Sequence, residues 1–130
     1  MARVLIIDDD IAVRQYLATL VRRLNHEPVQ AATCAEGLAA MADPSIQIII
    51  SDIYLPDSFG LDNWIDRLKA KTQDRPLILI TGEPSEELAA KMQGKGIMAF
   101  LAKPFELAFI KGLLAQATQA IQDPLLHAQP

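Results

Sequence analysis

The chain has 130 residues, 51% of them hydrophobic, one cysteine and a formal charge of −4, which bounds it to one domain with a real core and leaves no length for a separate substrate domain. With no run of Lys or Arg it lacks the basic footprint of a nucleic-acid binder, so no direct nucleic-acid contact is expected, and Cys34 alone excludes an internal disulfide. No stretch could cross a bilayer, and the apolar start is too short for a signal peptide and is cut off by three acids, so the expected location is the cytoplasm, with no membrane contact.

In chain order, Val4 to Ile7 is a short strand-like run that breaks at Asp8-Asp9-Asp10. Val13, Tyr16, Leu17, Leu20, Val21 and Leu24 then recur at helical spacing and predict an amphipathic helix closed by Asn25 and His26. Pro28 to Ala32 is a weak strand, and Cys34 reads as a small core or helix-start residue ahead of a short helix over Glu36 to Met41. The run Ile46 to Ser51 holds four isoleucines and no charge, as suits a strand buried on both faces of a parallel sheet, and Asp52 ends it.

A loop with Pro56, Ser58 and Gly60 leads to a helix with Leu61, Trp64, Ile65 and Leu68 on one face. Leu77 to Ile80 is the fourth strand, stopping at Thr81-Gly82. Ser85 to Met92 is a helix with Gly94 and Gly96 beyond its end, where a left-handed cap favours glycine. Ile97 to Leu101 is the fifth strand, and Pro104 opens a last helix with Leu107, Ile110, Leu113, Leu114, Ala117 and Ile121 as its buried face. Asp123-Pro124 stops that helix.

Five strands alternating with five helices predict an α/β fold, a doubly wound five-stranded parallel sheet. In such a sheet the carboxyl ends of the strands share one edge, where ligands bind. Asp8, Asp9 and Asp10 follow the first strand, Asp52 the third, Thr81 the fourth and Lys103 the fifth. Singly, each has a bland reading: Asp as a helix cap, Thr at a turn, Lys on a solvated loop.

Together they make a different case. Carboxylates within ~5 Å repel by roughly 3 kcal/mol per pair at an effective dielectric of ~20, so the cluster needs a cation. Hard oxygen donors suit Mg²⁺, with Mn²⁺ as a substitute, and beside the metal Asp52 is placed to become an aspartyl-phosphate. Phosphoryl transfer needs little beyond positioning and neutralisation, which Lys103 and the Thr81 hydroxyl would serve.

The motifs V-L-I-I-D-D-D-I-A-V-R, I-I-I-S-D-I-Y-L-P, L-I-L-I-T-G and F-L-A-K-P-F, in this order, resemble the receiver domains of two-component response regulators. The resemblance covers Val4 to about Ile121. It implies the flavodoxin-like strand order 2-1-3-4-5 and a phosphorylation-activated switch, with residues 1–122 as the receiver and 123–130 as a tail or the start of a linker.

By the same resemblance Asp52 is the phosphoacceptor, served by a sensor histidine kinase or a histidine phosphotransfer protein. Asp8, Asp9, Asp52 and the Tyr54 carbonyl are the metal ligands, Asp10 is a secondary acid, and Arg14 falls in register after them. Thr81 is the switch hydroxyl, Lys103 contacts the phosphate, and Lys103-Pro104 is a cis peptide bond. Phe100 stands where the family has its switch aromatic, often Tyr; lacking a hydroxyl, it signals by packing alone.

The resemblance further implies output through the fourth helix, fifth strand and fifth helix, to a downstream effector, a fused output domain or a dimer partner. Tyr54 and Glu83 hold the positions that tune phosphoryl lifetime, and the ring at Tyr54 is expected to slow self-dephosphorylation. The loop Y-L-P-D-S-F-G departs from the family's usual M-P-x-M-D-G, with Phe59 in place of an acid. As an enzyme the chain would catalyse only its own phosphorylation and dephosphorylation. The alternative is a haloacid-dehalogenase-like phosphatase in which Asp8 attacks, Asp10 protonates the leaving group and Asp52 is only a ligand, but the chain lacks that family's cap domain and late acidic motif.

Overall fold

Each short apolar run becomes a strand of one parallel sheet in the computed structural model, which describes residues 1–58, 60–92, 96–103 and 106–122. The strands are β1 (Arg3–Ile7), β2 (Glu27–Ala31), β3 (Ile46–Asp52), β4 (Leu77–Thr81) and β5 (Ala99–Ala102). The helices are α1 (Ile11–Arg23), α2 (Cys34–Ala40), α3 (Leu61–Thr72), α4 (Glu86–Met92) and α5 (Leu107–Gln122). The strand order is β2-β1-β3-β4-β5, all parallel.

Side chains alternate across a strand, and here both faces are covered. Leu5, Ile7, Ile49, Leu77 and Leu79 pack with Cys34 and Met41 beside α2, with Trp64, Ile65 and Leu68 of α3, and with Leu88 and Met92 of α4. Val4, Ile6, Ile48, Ile50, Ile78 and Ile80 pack with Leu17, Leu20 and Val21 of α1 and with Ile110, Leu114 and Ala117 of α5. The helix α2 lies so close to β1 that a Cβ at Gly37 would stand 2.6 Å from Ile7 Cδ1. A larger residue there would force the Ile7 side chain to shift.

Local chemistry sets the helix starts. Asp10 caps α1, its carboxylate accepting from the Ala12 and Val13 N–H groups, and Thr33 caps α2 by accepting from Glu36 N–H. Asp57 reaches from the loop after β3 and accepts from the Cys34 and Ala35 N–H groups at 2.8 and 3.1 Å, adding a second cap to α2. At the opposite edge of the sheet the Arg75 guanidinium donates to the carbonyls of Met41, Asp43, Ile46, Lys71 and Thr72. The ends of α2 and α3 and the start of β3 are thus gathered on one side chain.

Several expectations need correction. Helical spacing puts Tyr16 and Leu107 on buried helix faces, but they are 45% and 49% exposed. Both line a depression between α1 and the start of α5, because the apolar stripe of each helix is wider than the strip its neighbours cover. The strands β3 and β4 run one residue further than their apolar runs, through Asp52 and Thr81, and β5 starts at Ala99 rather than Ile97. Gly96 takes the left-handed conformation at φ +72°; Gly94, Phe59, Pro104 with its expected cis bond, and the tail from Asp123 lie outside the described residues.

Candidate functional site

The carboxyl edge of the sheet brings Asp8, Asp9, Asp52, Thr81 and Lys103 together. Asp8 directly follows β1 and is fully buried, Asp52 is the last residue of β3, and Thr81 is the last of β4. Carboxylate oxygens of Asp8, Asp9 and Asp52 lie within 4.8 Å of one another. Lys103, just beyond β5, sets its Nζ 2.8 Å from Asp8 Oδ2 and 2.9 Å from Asp52 Oδ2. The ammonium stands between two carboxylates that would otherwise repel.

Backbone and side chain together fix these groups. Asp8 Oδ1 accepts from Asp10 N–H at 2.9 Å, while Arg14 Nη1 donates to the Asp8 carbonyl at 2.8 Å and Arg14 Nε to Gln30 Oε1 at 3.2 Å. Asp52 Oδ1 accepts from Tyr54 N–H at 3.0 Å, which tightens the turn after β3. Thr81 Oγ1 accepts from Glu83 N–H at 3.0 Å, and the Thr81 carbonyl accepts from Lys103 N–H at 2.6 Å. Phe100 is half-buried in β5 against the cluster of α2, α3 and α4, and Tyr54, two residues past Asp52, is 45% exposed.

Burial raises the Asp8 carboxyl above the usual range, with Lys103 and the Asp10 N–H pulling the other way and the Asp52 charge adding to the rise. For Lys103 burial works against the charge, but the bonds and charges of Asp8 and Asp52 outweigh it and the ammonium is held above its ordinary value. Among the described residues Asp8 Oδ2 has no hydrogen-bond partner of good geometry; its contact is the ion pair to Lys103. A buried carboxylate oxygen held by an ammonium and set among three acids belongs to a donor set that fits a hard divalent cation such as Mg²⁺. Asp8, Asp9 and Asp52 would hold it, and it would supply positive charge to the oxygens of an incoming phosphoryl group.

Asp10 does not join the cluster; its carboxylate is spent on the first turn of α1, the bland role for an Asp at that point. Sequence reasoning missed Asp57 and Trp64. Asp57 ties the loop after β3 to α2, and Trp64 donates its indole N–H to the Asp52 carbonyl at 3.1 Å. Neither has a local signal, since each partner lies 12 or more residues away in the chain.

A doubly wound sheet with clustered acids, a hydroxyl and an ammonium at its carboxyl edge is the architecture of a phosphorylation switch. Residues 4–115 match the family model of the response regulator receiver domain, and the chain belongs to that family. It is a receiver domain of two-component signalling, in place of the phosphatase reading.

Its relatives include the DNA-binding transcriptional regulator NtrC of Azospirillum brasilense, 30% identical over 95% of this chain and 25% of that protein. The sensor kinase/phosphatase CqsS of Vibrio cholerae is 31% identical over 78% of this chain and 15% of that protein. The chain therefore spans a quarter or less of the length of these two relatives. Among solved structures, the chemotaxis protein CheY4 of Vibrio cholerae superposes with a TM-score of 0.76 at 27% identity, covering 90% of this chain and 98% of that one. A receiver domain from Clostridium thermocellum shares the fold with a TM-score of 0.81 at 23% identity, over 94% of this chain and 98% of that one. No helix among the described residues is long and apolar enough to cross a membrane.

Proposed function

We propose that Asp52 accepts the phosphoryl group, with Mg²⁺ held by Asp8, Asp9, Asp52 and the Tyr54 carbonyl. The observation that carries this reading is the meeting of three carboxylates with the Lys103 ammonium, whose Nζ already pairs with Asp52 at 2.9 Å. A carboxylate oxygen of Asp52 attacks phosphorus, the bond to the donor breaks, and the leaving group departs with its electron pair. When the donor is a phosphohistidine, that bond is P–N and the imidazole takes up a proton.

Lys103 then balances the new phosphoryl charge, and the Thr81 hydroxyl, which accepts from Glu83 N–H, keeps its own proton to donate to a phosphoryl oxygen. The phosphorylated site binds one arrangement of Thr81 and Phe100 better than the other and shifts the population toward it. The surface so changed is α4, β5 and α5. Tyr54 and Glu83 tune how long the phosphoryl group lasts, and Asp10, whose carboxylate caps α1, supports the site only by fixing the turn after β1.

The donor in this reading is a sensor histidine kinase or a histidine phosphotransfer protein in the cytoplasm. The chain acts as a signalling component that catalyses only its own phosphorylation and dephosphorylation. Residues 1–122 form the receiver, and 123–130 form a tail or lead toward an output partner, whether a fused domain, a separate effector or a second copy docked on α4, β5 and α5. Intact mass after incubation with acetyl phosphate and Mg²⁺ tests the core of this. One added phosphoryl group that requires both Asp52 and the metal is expected; an equal gain in Asp52→Asn refutes it.

A further inference from the structure

The peptide bond between Asp52 and Ile53 is gripped at both ends. Ile53 N–H donates to the Ile80 carbonyl at 3.2 Å, which ties the bond to β4. The Asp52 carbonyl accepts from Trp64 Nε1 at 3.1 Å, which ties it to α3, and from Ser51 Oγ at 2.8 Å. One residue further on, Tyr54 N–H turns back to Asp52 Oδ1 at 3.0 Å. The main chain under the Asp52 side chain thus has its plane set from two different elements.

Trp64 is the chain's single tryptophan and is 1% exposed, in the buried core cluster that also holds Ile53, Leu55, Leu68 and Leu88. An indole N–H donates and cannot accept, so once buried it needs an acceptor. Of the carbonyls around it, the one it takes belongs to the residue that carries the chemistry. That carbonyl already has the Ser51 hydroxyl, so the indole is not its sole donor.

We infer that Trp64 is a positioning residue: its indole holds the Asp52 carbonyl so that the carboxylate stays oriented for phosphoryl transfer. This rests on Asp52 being the phosphoacceptor. With the peptide plane held, the Cα–Cβ bond of Asp52 and the turn through Tyr54 keep one direction, and reaction geometry is sensitive to shifts well under an ångström. The same bond joins the first half of α3 to the site, since a rotation of the 52–53 peptide changes the length of the indole hydrogen bond.

Replacement of Trp64 by benzothienylalanine tests this, because sulfur takes the place of the N–H while the ring outline is kept. With one tryptophan in the chain, replacing tryptophan throughout changes only this site. The rate of phosphorylation is read against acetyl phosphate concentration at fixed Mg²⁺, beside the native protein, Asp52→Asn and a urea titration.

The expected result is a maximal rate lower by about three- to tenfold, with half-saturation and urea midpoint close to native, because the group lost orients the nucleophile and binds no donor. An unchanged maximal rate overturns the inference, and so does a rate loss that only tracks a lowered urea midpoint. If the replaced protein does not fold, the indole ¹⁵N–¹H resonance of the native protein decides: a shift on phosphorylation supports the inference, and a resonance that stays in place overturns it. A native protein that gains no phosphoryl group at Asp52 overturns the phosphoacceptor reading itself, and this inference with it.

Discussion

Replacing Lys103 by Met removes the cation that stands between two buried acids, and the cost can be worked from the geometry. Without Lys103 the oxygens of Asp8 and Asp52, which lie within 4.8 Å of each other, repel by roughly 3.5 kcal/mol at an effective dielectric of ~20. The chain has one escape, which is to protonate Asp8. Neutralising a carboxyl of ordinary value 3.8 costs about 4 kcal/mol at pH 7 and about 1.5 kcal/mol at pH 5.

Lys103→Met is therefore expected to lose roughly 3 to 4 kcal/mol of stability at pH 7 and only 1 to 2 kcal/mol at pH 5. At pH 5 the folded variant holds a proton that the unfolded chain releases, so its stability falls as pH rises towards 7. Urea unfolding followed by far-ultraviolet circular dichroism, with chelator present and at both pH values, measures this. A loss of the same size at pH 5 and pH 7, or none at pH 7, refutes the account of the site as an acid pair held by one ammonium.

Four further outcomes follow from other parts of the molecule. His26 is held below its ordinary value by burial, and its Nδ1 accepts from Ala2 N–H; it is neutral in the fold, so stability is present above pH 6.5 and lost as pH falls through the lower folded value. In His26→Gln that acid sensitivity should weaken in melting temperatures taken at pH 5.5 and 7.5. Gln73 sits at φ +58°, where a side chain is strained, so Gln73→Gly should raise stability by about 1 kcal/mol in urea titration. Asp57→Ala removes two acceptors from the first turn of α2 and should cost about 1 kcal/mol; Asp57 is held below its ordinary value chiefly by the Cys34 N–H, so the difference should vanish as pH falls through that lowered value. Tyr54→Ala should shorten the half-life of the phosphorylated protein, read by mass spectrometry, since an exposed aromatic residue lies two positions past Asp52 with its N–H bonded to Asp52 Oδ1; an unchanged half-life counts against Tyr54 as a shield from water.

The grouping of Asp8, Asp9, Asp52, Thr81 and Lys103 was legible because it depends on two short-range facts, where each apolar run ends and which residue follows it, whereas the strand order came only with the resemblance to receiver domains. The last residue of a strand is less legible. Asp52 and Thr81 belong to their strands because Asp52 pairs with Ile80 and Thr81 with Ala102, and such pairing is decided by the neighbouring strand. Helical spacing named the apolar faces of α1 and α5 but not how much of each is covered, hence the exposure of Tyr16 and Leu107. The Asp57 and Trp64 bonds are tertiary, formed only once α2 and α3 have docked on the sheet, and no local pattern announces them.

The Arg75 guanidinium has one consequence for tolerance to change. All five of its acceptors are main-chain carbonyls, from residues 41, 43, 46, 71 and 72. The knot itself does not depend on the side chains at those positions, although Met41, Ile46 and Thr72 are held by their burial in the core. For the hydrogen bonds of the knot only position 75 is constrained in identity, because no other side chain spreads so many donors in one rigid plane. Surface sequence at that end of the sheet is free to diverge while the geometry beneath it persists.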